Sequence, residues 1–442
     1  MAIKKLKKGY DLKLKGGITN EAITIAPRPT ECAIIPDDFE GIIPRMEKKE
    51  GEHVQAGEAL YHDKTHECIV VTSPISGTVK AIVRGERRKI EKIIIEADQA
   101  NEYKTFNLND AKSALLESGL WAMLRQRPYD VVPTPEATPR DIFVTCFDSA
   151  PLAPDLTLIN ADKAQYLQKG VDVLKTITGG NVYLGCREGQ EIELNGAETV
   201  VFKGPHPAGN AGIQVANIKP VNKGEVVWTT DVVTLARIGE LFSTGKVNYD
   251  TVVAITGQQV EQPCYVKTVM GAPLSTLLEG KLCDNGKTPR IISGNVLTGY
   301  HVMADEYLRA PYRHITVIPE LQKEDEFMGW ASLSPKKFSV YRNFTGWLLG
   351  MNRKEMNVDA RMNGGERAIV MSGEYDRMLP MDIYAEFLIK AIIAFDIDKM
   401  EQLGIYEVAP EDFALCEFAD TSKLELQRIV RDGLNRLRKE MS

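Results

Sequence analysis

GEHVQAGEALYHDK (residues 51–64) and SPISGTVKAIVRGE (73–86) are the two stretches on which the reading of the fold turns. Between Gly41 and Ala97 short β-rich runs alternate with glycines, and Gly51, Gly57, Gly77 and Gly85 fall where the chain must reverse. The pattern predicts a small, tightly turned β module. Four potential metal ligands, His53, His62, His66 and Cys68, lie in it. In a β or turn context a spacing of four residues does not bring side chains to one face, so no metal site is expected.

Outward from this module the period changes. DAKSALLESGLWAMLRQRP (110–128) carries apolar residues at Ala114, Leu115, Leu120, Trp121 and Ala122, which predicts an amphipathic helix closed by Pro128. After a proline-rich stretch, DIFVTCFDSAPLAPD (141–155) reads as a buried strand running into a loop. The helical ADKAQYLQKGVDVLKTI (161–177) and the strands NVYLGC (181–186) and TVVFKG (199–204) follow. Strand, helix, strand in that order predicts a parallel α/β domain. The loop GPHPAGNAG (204–212) then leads to a further strand and the helical DVVTLARIGELFSTG (231–245). Residues 256–299 alternate strands with one short helix beginning after Gly271-Ala272-Pro273, as a β-grasp unit does. Beyond Asp325, MDIYAEFLIKAIIAFDIDKMEQLG (381–404) and SKLELQRIVRDGLNRLRKE (422–440) predict a layer of helices.

Composition fits this picture. The 442 residues suffice for about three domains. With 43% hydrophobic and 26% charged residues the chain reads as folded and water-soluble. A net charge of -7 gives no electrostatic case for nucleic acid. The longest apolar run, Phe387 to Ile397, holds Lys390 and Asp396 and is too short to cross a hydrocarbon core of about 30 Å. The basic N-terminus lacks the apolar stretch of a signal peptide, so a cytoplasmic chain is expected. The seven cysteines are scattered with no C-x-x-C pair, which argues against disulfides, structural zinc and iron-sulfur clusters. Ser73, Ser76 and Ser293 stand in glycine-containing turns, but none lies in G-x-S-x-G, and no catalytic residue is assigned. Gly364-Gly365 with Glu366 and Arg367 reads as a turn.

The first module resembles the biotinyl/lipoyl-type barrel-sandwich hybrid, in which a carrier lysine sits on a hairpin tip. Lys64 stands near that place, but in DKT rather than in the carriers' signature, so a swinging-arm role is not expected. The whole order of modules has a wider resemblance: a barrel-sandwich hybrid (1–105), a Rossmann-like α/β domain (106–255), a β-grasp soluble-ligand-binding domain (256–325) and a C-terminal α-helical domain (326–442). It resembles the flavin-binding subunits of quinone-reducing and ferredoxin-reducing complexes, and most closely the family of the A subunits of the sodium-translocating NADH:quinone reductases. The stretches that carry this are the two quoted first, SGLWAMLRQRP (118–128), GPHPAGNAG, MGAPLSTLL (270–278) with RIISGNVLTG (290–299), and NGGERAIVMSGEYDRMLPMD (363–382).

The departures from the wider superfamily are chemical. Where its flavin-binding members have a glycine-rich phosphate loop, this chain has LWAMLRQRP, whose side chains occupy the place of bare backbone. Where they hold cysteine groups for four-iron clusters, FALCEFADTSK (413–423) retains Cys416 alone. The resemblance therefore implies a subunit with no tightly bound cofactor, peripheral on the cytoplasmic side of the bacterial inner membrane and soluble when isolated. It would be part of a complex that oxidises NADH, reduces quinone and exports sodium. Quinone would be the substrate and the flavin-bearing membrane B subunit the main partner, with flavins and the iron-sulfur centre on partner subunits. An independent flavin or iron-sulfur NADH-oxidising or ferredoxin-type subunit is the alternative.

A quinone needs an apolar slot and one or two donors for its carbonyl oxygens. Trp121, Phe147 and His206 have those properties by type, while Arg125 and Arg127 suit a partner or an anionic head group. Each has a plainer reading: a tryptophan on an amphipathic helix is usually core, and His206 between prolines and glycines could brace a tight loop.

Overall fold

The computed structural model describes residues 2–321, 345, 348 and 354–441. Two short strands open it, β1 (Ala2–Lys5) and β2 (Ile23–Ile25). The barrel-sandwich module follows, with β3 (Glu31–Ile34), β4 (Pro44–Met46), β5 (His53–Val54), β6 (Ala59–Asp63), β7 (Val70–Thr72), β8 (Gly77–Arg84) and β9 (Ile90–Ala97). These form two sheets, β3-β9-β8-β5 and β4-β6-β7, closed over Leu60, Tyr61, Ile75, Ile93 and Ile95. Gly77 is required where β8 meets β9, because a Cβ there would lie 1.9 Å from the Glu96 carbonyl oxygen. Lys64 sits in the β6–β7 connection with its side chain exposed. The histidines do not converge: His53 pairs with Asp98, His62 with Glu47 and His66 with Asp63. Among the described residues no cluster of three metal-ligating side chains occurs.

The opening strands do not belong to this module, although residues 1–105 read as one unit in the sequence. β1 lies parallel to a strand of the α/β sheet, with Ala2 opposite Val200, and β2 lies parallel to a strand of the third sheet, with Ile23 opposite Tyr265. Sequence neighbours are thus separated by pairings with strands far along the chain.

The α/β domain contains α1 (Ala111–Glu117), β10 (Arg125–Arg127), β11 (Ile142–Thr145), α2 (Leu156–Ile159), α3 (Ala164–Ile177), β12 (Val182–Arg187), β13 (Ala197–Lys203), α4 (Ala211–Ile218), β14 (Val227–Asp231) and α5 (Val232–Thr244). The helix expected to reach Pro128 stops at Glu117. Gly119 is left-handed at φ 78°, and the Ser118 carbonyl accepts from the Thr72 and Tyr249 hydroxyls. A short 3-10 turn, Leu120–Met123, carries the chain into β10, which pairs antiparallel with β14. The sheet order is β1-β13-β12-β11-β14-β10, parallel except for β10. Alternate residues serve opposite faces. Ile142, Val144, Val182 and Leu184 share a core with α3 and α5, whereas Phe143, Tyr183, Val200 and Phe202 share one with α4. The sheet is therefore doubly wound. Register sets Thr145 beside Gly185, which leaves Cys146 and Cys186 adjacent on neighbouring strands as buried free thiols. Cysteines scattered in the sequence thus meet in the fold.

The third sheet is built from β15 (Asp250–Thr256), β16 (Cys264–Val269), β17 (Pro289–Ser293), β18 (Tyr300–Val302) and β19 (His314–Pro319), with α6 (Leu274–Leu278) across it. Its order β18-β17-β19-β15-β16-β2, in which β15 is antiparallel to β16 and parallel to β19, is the β-grasp arrangement. β15 spans the boundary expected at 255/256, so its pairing assigns residues 250–255 to this sheet. The boundary expected at 325/326 lies outside the described residues.

The helical layer comprises α7 (Glu374–Met378), α8 (Ala385–Ala394), α9 (Ile397–Gln402), α10 (Ala414–Ala419) and α11 (Leu426–Met441) around Leu388, Ile389, Phe413, Val430 and Leu434. Gly364, in the stretch read as a turn, packs against Lys423 in this layer. Among the described residues no helix is long and apolar enough to cross a membrane.

Candidate functional site

In the α/β sheet the crossover from β11 runs one way to β12, and the chain then returns from β13 past β11 to β14. Between β11 and β14 the winding reverses, and the loops leaving their C-terminal ends diverge. Such a reversal leaves a crevice, the usual ligand position of doubly wound sheets. A cavity of about 900 Å³ lies there, walled by Phe147 and Asp148 beyond β11, Thr230 and Asp231 at the end of β14, and the loop that precedes α4. The barrel module, the β-grasp domain and the helical layer close its other sides, so all four units contribute.

Three of the five candidate residues meet in this cavity: Arg125, Phe147 and His206. Phe147 is 5% exposed and supplies apolar wall together with Met123 and Leu156. His206, from GPHPAGNAG, is held by hydrogen bonds rather than by packing alone. Its backbone N–H donates to Asp11 (2.8 Å), and Nδ1 lies 3.0 Å from the Ser149 hydroxyl. That hydroxyl also accepts from the Gly209 N–H at 2.8 Å. The other ring nitrogen, Nε2, is buried and has no partner among the described residues; it is a donor when the Ser149 hydroxyl donates to Nδ1. Burial, only partly opposed by Asp11 and by a hydrogen bond to the Ser149 backbone, pulls the imidazole down to about 4, so it is neutral at physiological pH. Bracing of the loop and an unpartnered ring nitrogen are thus properties of the same side chain.

Arg125 is engaged differently: its guanidinium donates to the carbonyls of Asp38 (2.7 Å) and Ala122 (3.3 Å), tying the barrel module to the cavity wall. Asp231 caps α5 through the Thr234 N–H (2.7 Å) and accepts from Arg313 of the β-grasp domain at 2.9 Å. Burial works against its charge, but Arg313, the Thr234 N–H and Arg237 together outweigh this and hold the carboxyl below the ordinary range.

The other two candidates stand behind the wall. Trp121 is fully buried; its Nε1 donates to the Pro133 carbonyl at 2.9 Å, and its ring meets Trp228 edge-on with centroids 4.9 Å apart. Arg127, 1% exposed, donates to Asp412 (3.0 Å), to the Glu407 carbonyl (3.0 Å) and to Glu411 (3.3 Å). It fastens the helical layer to β10.

The structure also brings in residues that the sequence did not single out. Thr145, Thr230 and His314 line the cavity, and each has a buried polar atom without a partner among the described residues. Nothing local marks them. Thr145 and Thr230 end hydrophobic strands, and His314 opens the alternating run HITVIP.

A barrel-sandwich module, a doubly wound domain with a crevice at its switch point and a β-grasp domain define a multidomain α/β protein. Three family models match: the NqrA N-terminal barrel-sandwich hybrid domain over residues 4–98, the NqrA second alpha/beta domain over 107–247, and the NQRA C-terminal domain over 252–304. The A subunit of the Na(+)-translocating NADH-quinone reductase of Neisseria meningitidis serogroup B is 35% identical over 450 residues, covering 99% of each chain. The subunits of that name from Neisseria gonorrhoeae and Yersinia pestis bv. Antiqua are 36% and 35% identical, again over 99% of each chain. The chain belongs to the family of Na(+)-translocating NADH-quinone reductase A subunits. Among solved structures, an NAD+-reducing [NiFe]-hydrogenase aligns over 42% of this chain and 41% of its own, with a TM-score of 0.29 and 11% identity.

Proposed function

We propose that the chain is the peripheral, cytoplasmic A subunit of a sodium-pumping NADH:quinone oxidoreductase, docked on the membrane B subunit, and that the switch-point cavity receives the quinone. Flavins and the iron-sulfur centre belong, in this reading, to partner subunits, and the isolated chain is not catalytic. The observation that carries the reading is the pairing of an apolar slot at Phe147 with the unpartnered Nε2 of His206. A buried donor without an acceptor costs free energy unless a ligand or water supplies one. A quinone carbonyl is such an acceptor, and its bond to the imidazole strengthens as reduction places charge on the oxygen. The names of the relatives, with the family membership, support a place in the same kind of complex.

In the assembled complex, His206→Ala is expected to lower quinone reduction about tenfold, the effect of losing one hydrogen bond that tightens on reduction. NADH oxidation by an artificial acceptor should continue. Parallel rates for both acceptors, with subunit content checked by gel, test this; equal loss of the two activities would mean misassembly instead of a local site.

A further inference from the structure

Four cavity-lining residues carry buried polar atoms without partners among the described residues: Thr145 Oγ1, His206 Nε2, Thr230 Oγ1 and His314 Nδ1. The charged groups have a different character. Arg125 is bound to backbone carbonyls, Arg313 to Asp231, Arg431 to Asp130 and Arg428 to Glu425. Every arginine on the wall is therefore already engaged, and the uncommitted hydrogen-bonding capacity of these four residues is uncharged. Such a wall suits a neutral ligand better than a phosphate or carboxylate.

The two histidines are held in parallel ways. His314 Nε2 lies 2.7 Å from the Thr256 hydroxyl. The neighbouring Thr316 hydroxyl, 3.2 Å from the same nitrogen, donates to the Gly294 carbonyl at 2.9 Å, and the Thr256 hydroxyl also lies 3.5 Å from the Ile315 carbonyl. The unpartnered ring atom is Nδ1, a donor when the Thr256 hydroxyl donates to Nε2. In His206 a serine hydroxyl plays the same part at the opposite nitrogen. Burial pulls both rings down, to about 4 and about 3, which keeps each neutral, with one donor and one acceptor nitrogen.

We infer that the cavity is a two-donor clamp for an uncharged, flat ligand with two carbonyl oxygens, a para-quinone, one oxygen taken by His206 of the α/β domain and the other by His314 of the β-grasp domain. The inference rests on the quinone reading above and adds its second anchor. Because the anchors stand on different domains, occupancy also ties the two domains together. In this inference Thr256 is a positioning residue: its hydroxyl donates to Nε2 of His314 and so leaves the ring proton on Nδ1 for the ligand.

The test is equilibrium titration of the full chain with a short-tailed para-quinone, followed by tryptophan fluorescence, for the parent protein and for His206→Phe, His314→Phe and Thr256→Val. Each histidine variant is expected to bind about tenfold more weakly than the parent, and Thr256→Val to fall between parent and His314→Phe. Thermal unfolding identifies a variant that has lost its fold, and in that event Thr256→Val decides. Saturable binding by the parent with unchanged affinity in both His314→Phe and Thr256→Val would overturn the second anchor while leaving the quinone reading in place. No saturable binding by the parent would remove the quinone reading and this inference together.

Discussion

Arg127→Met is expected to destabilise the attachment of the helical layer by about 3 to 5 kcal/mol, the range for removing one partner of a buried ion pair. The guanidinium is 1% exposed, and burial alone would disfavour its charge, but Asp412, Asp130 and Glu411 outweigh that and raise its proton affinity. Its removal leaves the Asp412 carboxylate, with a side chain 0% exposed, held among the described residues by the Ala409 N–H at 2.8 Å. Burial already holds that carboxyl above the ordinary range, with Arg127 the main opposing influence. The sign of the pH dependence follows. A folded state that binds the carboxyl proton more tightly than the unfolded chain gains stability as pH falls, so the deficit of the variant should shrink between pH 7 and pH 5. Urea unfolding of parent and variant at the two pH values measures this. A deficit independent of pH would show that Asp412 is not the group left stranded.

Trp121→Ala is expected to be of similar size, about 3 to 5 kcal/mol, because it empties the space of a fully buried indole. It also deprives the Pro133 carbonyl of its donor and Trp228 of its edge-on partner. Trp121→Phe keeps part of the ring contact and should lose distinctly less. The adjoining Ala122 and Met123 do line the cavity, so collapse of the 3-10 turn reaches the site by way of packing. Loss of quinone reduction in Trp121→Ala should accordingly come with loss of folded subunit from the complex, in contrast to His206→Ala. Thermal unfolding and subunit stoichiometry distinguish the two.

Much of this fold is legible where the information is local. Glycines such as Gly77, which admits no side chain beside Glu96, mark the reversals of the barrel module, and the buried runs at Ile142–Thr145 and Val182–Arg187 betray parallel strands. Legibility fails where distant pairing decides. Nothing within Ala2–Lys5 or Ile23–Ile25 tells which sheet will accept it. The apolar period through Leu120 and Trp121 imitates a continuing helix, yet Gly119 and the pairing of Arg125 with Thr229 turn it into a 3-10 turn and a strand. At the cavity, His206 stands out because prolines and glycines surround it, and Phe147 because it follows a buried strand. His314 is silent: an alternating strand gives a histidine no visible reason, and only the approach of the β-grasp domain to the switch point supplies one.

The most direct test of a quinone in the switch-point cavity is photolabelling of the assembled complex with a short-tailed quinone bearing a photoreactive group, followed by peptide mapping. Label is predicted on the segments that wall the cavity, around Phe147 to Leu156, His206 to Ala211 and Tyr312 to His314, with competition by unlabelled quinone. Competable label confined to other segments of this chain, or to partner subunits alone, would contradict the account.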